Sequence, residues 1–109
     1  MQENAAQALL ILIVPPKLEE VLVDFLLQQT SISGFTTAHA NGHGTGHIAG
    51  YGSMKLSLLE QVTGRQSRMQ FMVHATLPVM HGLIGVLKAE FQHTDMHYIL
   101  LPVLDAQSI

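Results

Sequence analysis

Three histidines recur at four-residue intervals in His39-Ala40-Asn41-Gly42-His43-Gly44-Thr45-Gly46-His47, and the stretch continues through Ile48-Ala49-Gly50-Tyr51-Gly52. Imidazole is a ligand for Zn, Cu(II) and Ni, and with no cysteine in the chain a nitrogen and oxygen donor set is expected rather than a thiolate one. On a helix the interval would align His39, His43 and His47 on one face. Five glycines occur from His39 through Gly52, and glycine loses the most backbone entropy on ordering, so a helix is not expected and the interval has no geometric force. What remains is three imidazoles close in sequence, with His74, His93 and His97 as further candidates that folding or a subunit boundary could bring near.

The same stretch supports two other chemistries. The backbone N–H groups of Gly42, Gly44 and Gly46 could face an anion, with Arg65 and Arg68 supplying positive charge. This is neither a dinucleotide fingerprint nor a phosphate loop, because no helix follows directly, the GxGxxG spacing fails and no Walker lysine is present. Alternatively, His39 is a polar strand residue, His43 and His47 are solvated, and the loop orders only against a partner protein. Arg65 and Arg68 then pair with carboxylates, Glu60 among them, at a subunit contact. Of the methionines, Met69 and Met80 fall on apolar faces, whereas Met72 shares the opposite strand face with His74. No nucleophile elbow, HExxH pattern or acid–base pair of carboxylates occurs, so no catalytic residue is assigned and a non-enzymatic protein is expected.

The elements that must hold these residues follow from the apolar pattern. Ala8 to Val14 is an unbroken apolar run, which predicts a central strand buried on both faces. Pro15-Pro16 ends it and opens a helix, with Glu19 and Glu20 in the first turn and Leu18, Val21, Leu22, Phe25 and Leu26 at helical spacing to about Gln29. Phe35 to Asn41 alternates as a strand, with Phe35, Thr37, His39 and Asn41 on one face. Ser57-Leu58-Leu59-Glu60 has a capping-box pattern, which predicts a short helix to about Thr63, stopped by Gly64. Arg68 to Ala75 alternates again, with Gln70, Met72 and His74 facing away from Met69, Phe71 and Val73. Thr76 to Phe91 reads as a second helix, in which Gly82 and Gly85 are expected to allow close contact with the sheet, and Met96 to Leu104 as a last strand that Pro102 assigns to a sheet edge.

Two strand–proline–helix–strand units in succession predict an α+β fold, a ferredoxin-like βαββαβ sandwich. Its four-stranded antiparallel sheet carries both helices on one face and a long loop between strands two and three. Residues 8–104 form one domain, with 1–7 and 105–109 as flexible termini. Charged residues make up 12% of the chain and hydrophobic ones 48%, against roughly a quarter charged in a typical soluble domain, so part of the surface is expected to be hidden in a homo-oligomer. The formal charge is −3 with neutral histidines, and no Lys/Arg run follows a phosphate backbone, which excludes nucleic acid as an expected partner. Protonating all seven histidines would carry that charge to +4. The longest apolar run is far short of the roughly 20 residues a membrane helix needs, so no membrane insertion is expected. Glu3 precedes that run without Lys or Arg, and prolines follow it, which is not a signal-peptide pattern, and a cytoplasmic location is expected.

This order, with its long second connection, resembles the PII-like signalling superfamily. Leu12-Ile13-Val14-Pro15-Pro16 leading into Leu18-Glu19-Glu20, then Asn41-Gly42-His43-Gly44, Glu60-Gln61-Val62-Thr63-Gly64-Arg65-Gln66, His97-Tyr98 and Pro102-Val103 are similar to the small bacterial DUF3240-type proteins, over about residues 9 to 104. The resemblance implies a trimer whose mobile loop, here about residues 41–64, senses a small ligand or metal ion and engages a partner. Because genes of this type often accompany heavy-metal efflux systems, the implied partner is a membrane transporter or other regulatory protein, and the implied alternative function is transition-metal binding (Zn, Cu or Ni) through histidine ligands. Tyr51 lies where PII proteins can carry a modifiable tyrosine, but no modification is carried over to it. Nucleotide-binding PII proteins cradle phosphates on a glycine-rich, basic turn after strand three. His74-Ala75-Thr76-Leu77-Pro78 has neither feature, and Asp105-Ala106-Gln107-Ser108-Ile109 supplies no basic residue, which counts against ATP binding of that kind.

Overall fold

The computed structural model of the chain describes residues 6–43 and 65–109. Gly44, Gly46, His47, Tyr51 and the expected short helix from Ser57 lie outside the described residues. Strand β1 spans Gln7–Val14, a single 3-10 turn at Pro16–Leu18 leads into helix α1 at Glu19–Leu27, and strand β2 spans Phe35–His43. Strand β3 at Arg65–Thr76, helix α2 at Leu77–Glu90 and strand β4 at His97–Val103 complete the order. The strands form one sheet in the order β2-β3-β1-β4 with every neighbouring pair antiparallel. This is the expected ferredoxin-like α+β fold, and β4 takes the edge position that Pro102 requires, since proline has no N–H to give a further strand.

One face of the sheet meets the helices. Ala8, Leu10, Leu12 and Val14 of β1 and Met69, Phe71 and Val73 of β3 are buried against Leu22 and Leu26 of α1 and Met80, Leu83, Ile84 and Leu87 of α2. Phe25 and Phe91 join the two helices edge to face, with ring centroids 5.4 Å apart and planes at 82°. Phe35 stacks beside Phe71 at 6.0 Å and closes the core towards β2.

The expectation that β1 is buried on both faces is corrected. Its burial alternates, and Leu9, Ile11 and Ile13 are only half-buried on the face turned away from α1. The sequence is continuous in its apolarity because β1 is central, while helices α1 and α2 cover one side only. Several boundaries also move. The proline pair tightens the start of α1 into the 3-10 turn, with the Leu18 N–H donating to the Pro15 carbonyl at 3.0 Å. The helix ends at Leu27 rather than Gln29, because the N–H groups of Gln28 and Gln29 turn to the Phe25 and Leu26 carbonyls, three residues back. Gly82 and Gly85 do not face the sheet: a Cβ built on either meets nothing within 4 Å.

Candidate functional site

The antiparallel ladder extends beyond the sheet. β1 ends where Val14 pairs with Met69, yet β2 and β3 continue through Ala40–Arg68, Asn41–Ser67, Gly42–Gln66 and His43–Arg65. Four residue pairs thus stand clear of β1 as a two-stranded arm, and residues 44–64 join its strands in sequence. The sequence pattern ended β2 at Asn41 and began β3 at Arg68 because glycine interrupts side-chain alternation there. Backbone pairing needs no side chain, so Gly42 lies within the ladder and the arm is longer than alternation indicates.

On the arm, side chains separate by strand parity. His39 lies opposite Met69, and His43 opposite Arg65, both on the helix-facing side. Four residues along a strand is about 13 Å, so His39 and His43 of one chain are not neighbours around one ion. A guanidinium beside His43 also opposes a dication there. Among the described residues, no three His, Asp or Glu side chains gather as a metal-binding group.

Arg65 is exposed, but Arg68 is buried at 1% exposure, with Gln66 at 3% beside it. Arg68 donates from Nη1 to the Ser67 carbonyl at 2.7 Å and from Nη2 to Gln66 Oε1. Gln66 and Arg68 are two residues apart on one strand face, which gives the guanidinium an amide acceptor within its own strand. An arginine closed in this way braces the base of the arm, whereas Arg65 lies at the surface. Sequence reasoning treated the two arginines alike and did not single out Gln66. The Gln-x-Arg spacing within an alternating strand was the available signal.

A cavity of about 290 Å³ was not anticipated from sequence. It lies between the end of α2, the turn at 91–96 and β4, with Leu12, Leu87 and Met96 as apolar lining and Lys88 and Tyr98 among its polar residues. The Lys88 ammonium sits 5.4 Å from the centre of the Tyr98 ring. In the turn, His93 and Asp95 adopt left-handed backbone at φ 63° and 61°, and the Thr94 hydroxyl donates to the Phe91 carbonyl. Apart from Leu12, the lining residues fall between Ile84 and Tyr98 and carry no motif, so only folding reveals the cavity.

At the opposite end of β3 there is no phosphate-cradling loop. β3 ends at Thr76 and α2 begins at Leu77, whose N–H donates to the Ala6 carbonyl at 2.7 Å. The uncovered sheet face is apolar: Leu9, Ile11 and Ile13 are flanked by Met72 on β3 and by Ile99 and Leu101 on β4, these last three 38–42% exposed. No helix among the described residues is long and apolar enough to cross a membrane.

A family model described as a protein of unknown function (DUF3240) matches residues 4–109. Among solved structures, a DUF3240 family protein from Shewanella baltica OS155 superposes with a TM-score of 0.72 at 17% identity, covering 94% of this chain and 96% of that one. The periplasmic divalent cation tolerance protein CutA from Archaeoglobus fulgidus gives 0.65 at 10% identity, over 93% of this chain and 87% of that one. The divalent ion tolerance protein CutA1 from Ehrlichia chaffeensis gives 0.64 at 10% identity, over 96% and 88%. At these identities the structural likeness establishes the fold, which is PII-like. No curated protein matches the chain.

Proposed function

The chain belongs to the DUF3240 family of proteins of unknown function, and from that footing we propose that it is a non-enzymatic, PII-like regulatory protein. It acts as a homo-oligomer, a trimer in this reading, that senses a small ligand or metal ion and engages a partner through the segment at about residues 41–64. The observation that carries the reading is the arm. A two-stranded projection, braced by the buried Arg68–Gln66 pair, extends β2 and β3 beyond β1 and carries His43 and Arg65 at its end. The apolar open face supports assembly, because Ile99, Leu101 and Met72 would otherwise stay in water. The proposed location is the cytoplasm, and the proposed partner a membrane transporter or another regulatory protein. Nucleotide is left out of the reading, since β3 passes directly into α2 and the first N–H of that helix is already bonded to Ala6. Mass photometry at micromolar concentration is expected to show three copies together. A monomer would overturn the assembly on which the reading depends.

A second reading is favoured by the fold shared with proteins named for divalent cation tolerance. Here the chain binds a transition metal, Zn, Cu or Ni, with His39, His43 and His47 as ligands. Because His39 and His43 are about 13 Å apart along β2, this reading requires each ion to draw further ligands from residues 44–64 or from another copy. Calorimetric titration with Zn(II), Cu(II) and Ni(II) on the wild type and on His39→Ala, His43→Ala and His47→Ala tests it. Loss of affinity supports the reading, and unchanged affinity in all three variants removes these histidines as the site.

A further inference from the structure

The cavity at the end of α2 has an apolar floor and a lysine at its wall. Leu12 of β1 and Leu87 of α2 belong to the core and Met96 is packed against it, so the floor is continuous with the hydrophobic interior. Tyr98 pairs with Leu12 across the β1–β4 ladder and therefore stands on the same, helix-facing side of the sheet. Lys88 follows Leu87 on α2 and is exposed, with its ammonium 5.4 Å from the centre of the Tyr98 ring. His93 and Asp95 shape the closing turn in left-handed backbone, which these two residue types adopt more readily than most others with a side chain. Because the cavity is built on the helix side, an assembly through the opposite sheet face leaves it accessible.

We propose that this cavity binds a small amphipathic monocarboxylate, with the apolar body of the ligand against Leu12, Leu87 and Met96 and its carboxylate at the Lys88 ammonium. A volume of about 290 Å³ lies at the lower end of the roughly 300–1,000 Å³ that ligand pockets span, which selects a small molecule over a nucleotide or a peptide. An apolar body leaves water on entering such a floor, and the hydrogen bond from ammonium to carboxylate is charge-assisted and stronger than a neutral one. The Tyr98 ring holds the ammonium in place by cation–π attraction, so less side-chain freedom is lost when the ligand arrives. Like charge disfavours a ligand cation beside Lys88, and free phosphate gains nothing from an apolar floor. Asp95 lines the cavity from the turn and opposes a second negative charge, which restricts the class to monocarboxylates. The site uses no residue of the arm and none of the β2 histidines, and so goes beyond the functions proposed for them.

The test is an NMR titration of the isotope-labelled full chain, in its solution assembly, with hexanoate and hydrocinnamate. The primary amide of hydrocinnamate, phenethylamine and inorganic phosphate are titrated in parallel. Both carboxylates are expected to bind saturably and to shift the backbone amides of Leu87, Lys88 and residues 91–98. Lys88→Met keeps the aliphatic stem without the charge and should weaken their binding about tenfold, whereas Lys88→Arg should restore most of it. Met96→Trp, which fills the cavity, should abolish binding, with thermal unfolding as the check on folding. Lys88 is exposed, so its variants carry the test even if Met96→Trp does not fold. Neither carboxylate binding at millimolar concentration, shifts centred away from this cavity, or an affinity unchanged in Lys88→Met overturns the proposal. An amide that binds as tightly as hydrocinnamate removes the charge recognition and overturns it too, as does tighter binding of phenethylamine or phosphate. The titration reads the same on a monomer or on a chain without metal affinity.

Discussion

At the scale of single residues, burial separates side chains that composition treats as equivalent. Arg65 and Arg68 are both basic and three positions apart, but an odd separation on a strand sends them to opposite faces. Arg68 is enclosed beside Gln66, and a buried guanidinium needs acceptors because its desolvation is otherwise uncompensated. Gln66→Leu removes the amide oxygen that receives Nη2. A destabilisation of about 1–3 kcal/mol is expected, measured by urea unfolding. Arg65→Gln should leave the midpoint within about 0.5 kcal/mol, as surface substitutions generally do. Equal effects at the two positions would contradict the bracing role of Arg68.

Among elements, α2 and the arm depart most from what pattern alone indicates. Gly82 and Gly85 suggested a close helix-to-sheet approach, yet open space surrounds both, and the sheet instead meets Met80, Leu83, Ile84 and Leu87. Glycine in a helix interior costs about 1 kcal/mol relative to alanine, and among the described residues no close contact at either glycine compensates. Gly82→Ala and Gly85→Ala should therefore each stabilise the protein by about 1 kcal/mol in chemical denaturation. In contrast, Phe71→Ala, at a fully buried position whose ring stacks on that of Phe35, should cost about 3–5 kcal/mol. The arm was underestimated for the opposite reason. Gly42 breaks the alternation of side chains without breaking the ladder of backbone hydrogen bonds.

For the whole molecule, the governing fact is that α1 and α2 cover the same side of the sheet. Among the described residues the core on that side holds thirteen buried apolar side chains, while the other side leaves isoleucine, leucine and methionine half in water. A second copy would remove this surface from solvent, and each half-exposed aliphatic side chain covered would contribute on the order of 1 kcal/mol. Ile99→Lys places a charge on that face without touching the core. It is expected to shift mass photometry from the assembly to the monomer while circular dichroism and the fold remain unchanged. An assembly that survives Ile99→Lys would place the contact elsewhere.

The sequence by itself determined the order of elements, the edge position of β4 and the division of β3 into Met69-Phe71-Val73 on one face and Gln70-Met72-His74 on the other. These follow from local quantities: side-chain periodicity, proline's missing N–H and the dipole preference of the first helical turn. It also marked Met72 and His74 as the methionine–histidine pair sharing a face. Only the tertiary structure decided which face each strand buries, that β2 and β3 outrun β1, that Arg68 is enclosed and Arg65 is not, and that Lys88 and Tyr98 meet at a cavity. Those depend on which distant segments pair and in what register. The histidine interval that first draws the eye belongs between the two: its spacing is plain in the chain, but on an extended strand four residues separate ligands by about 13 Å instead of aligning them.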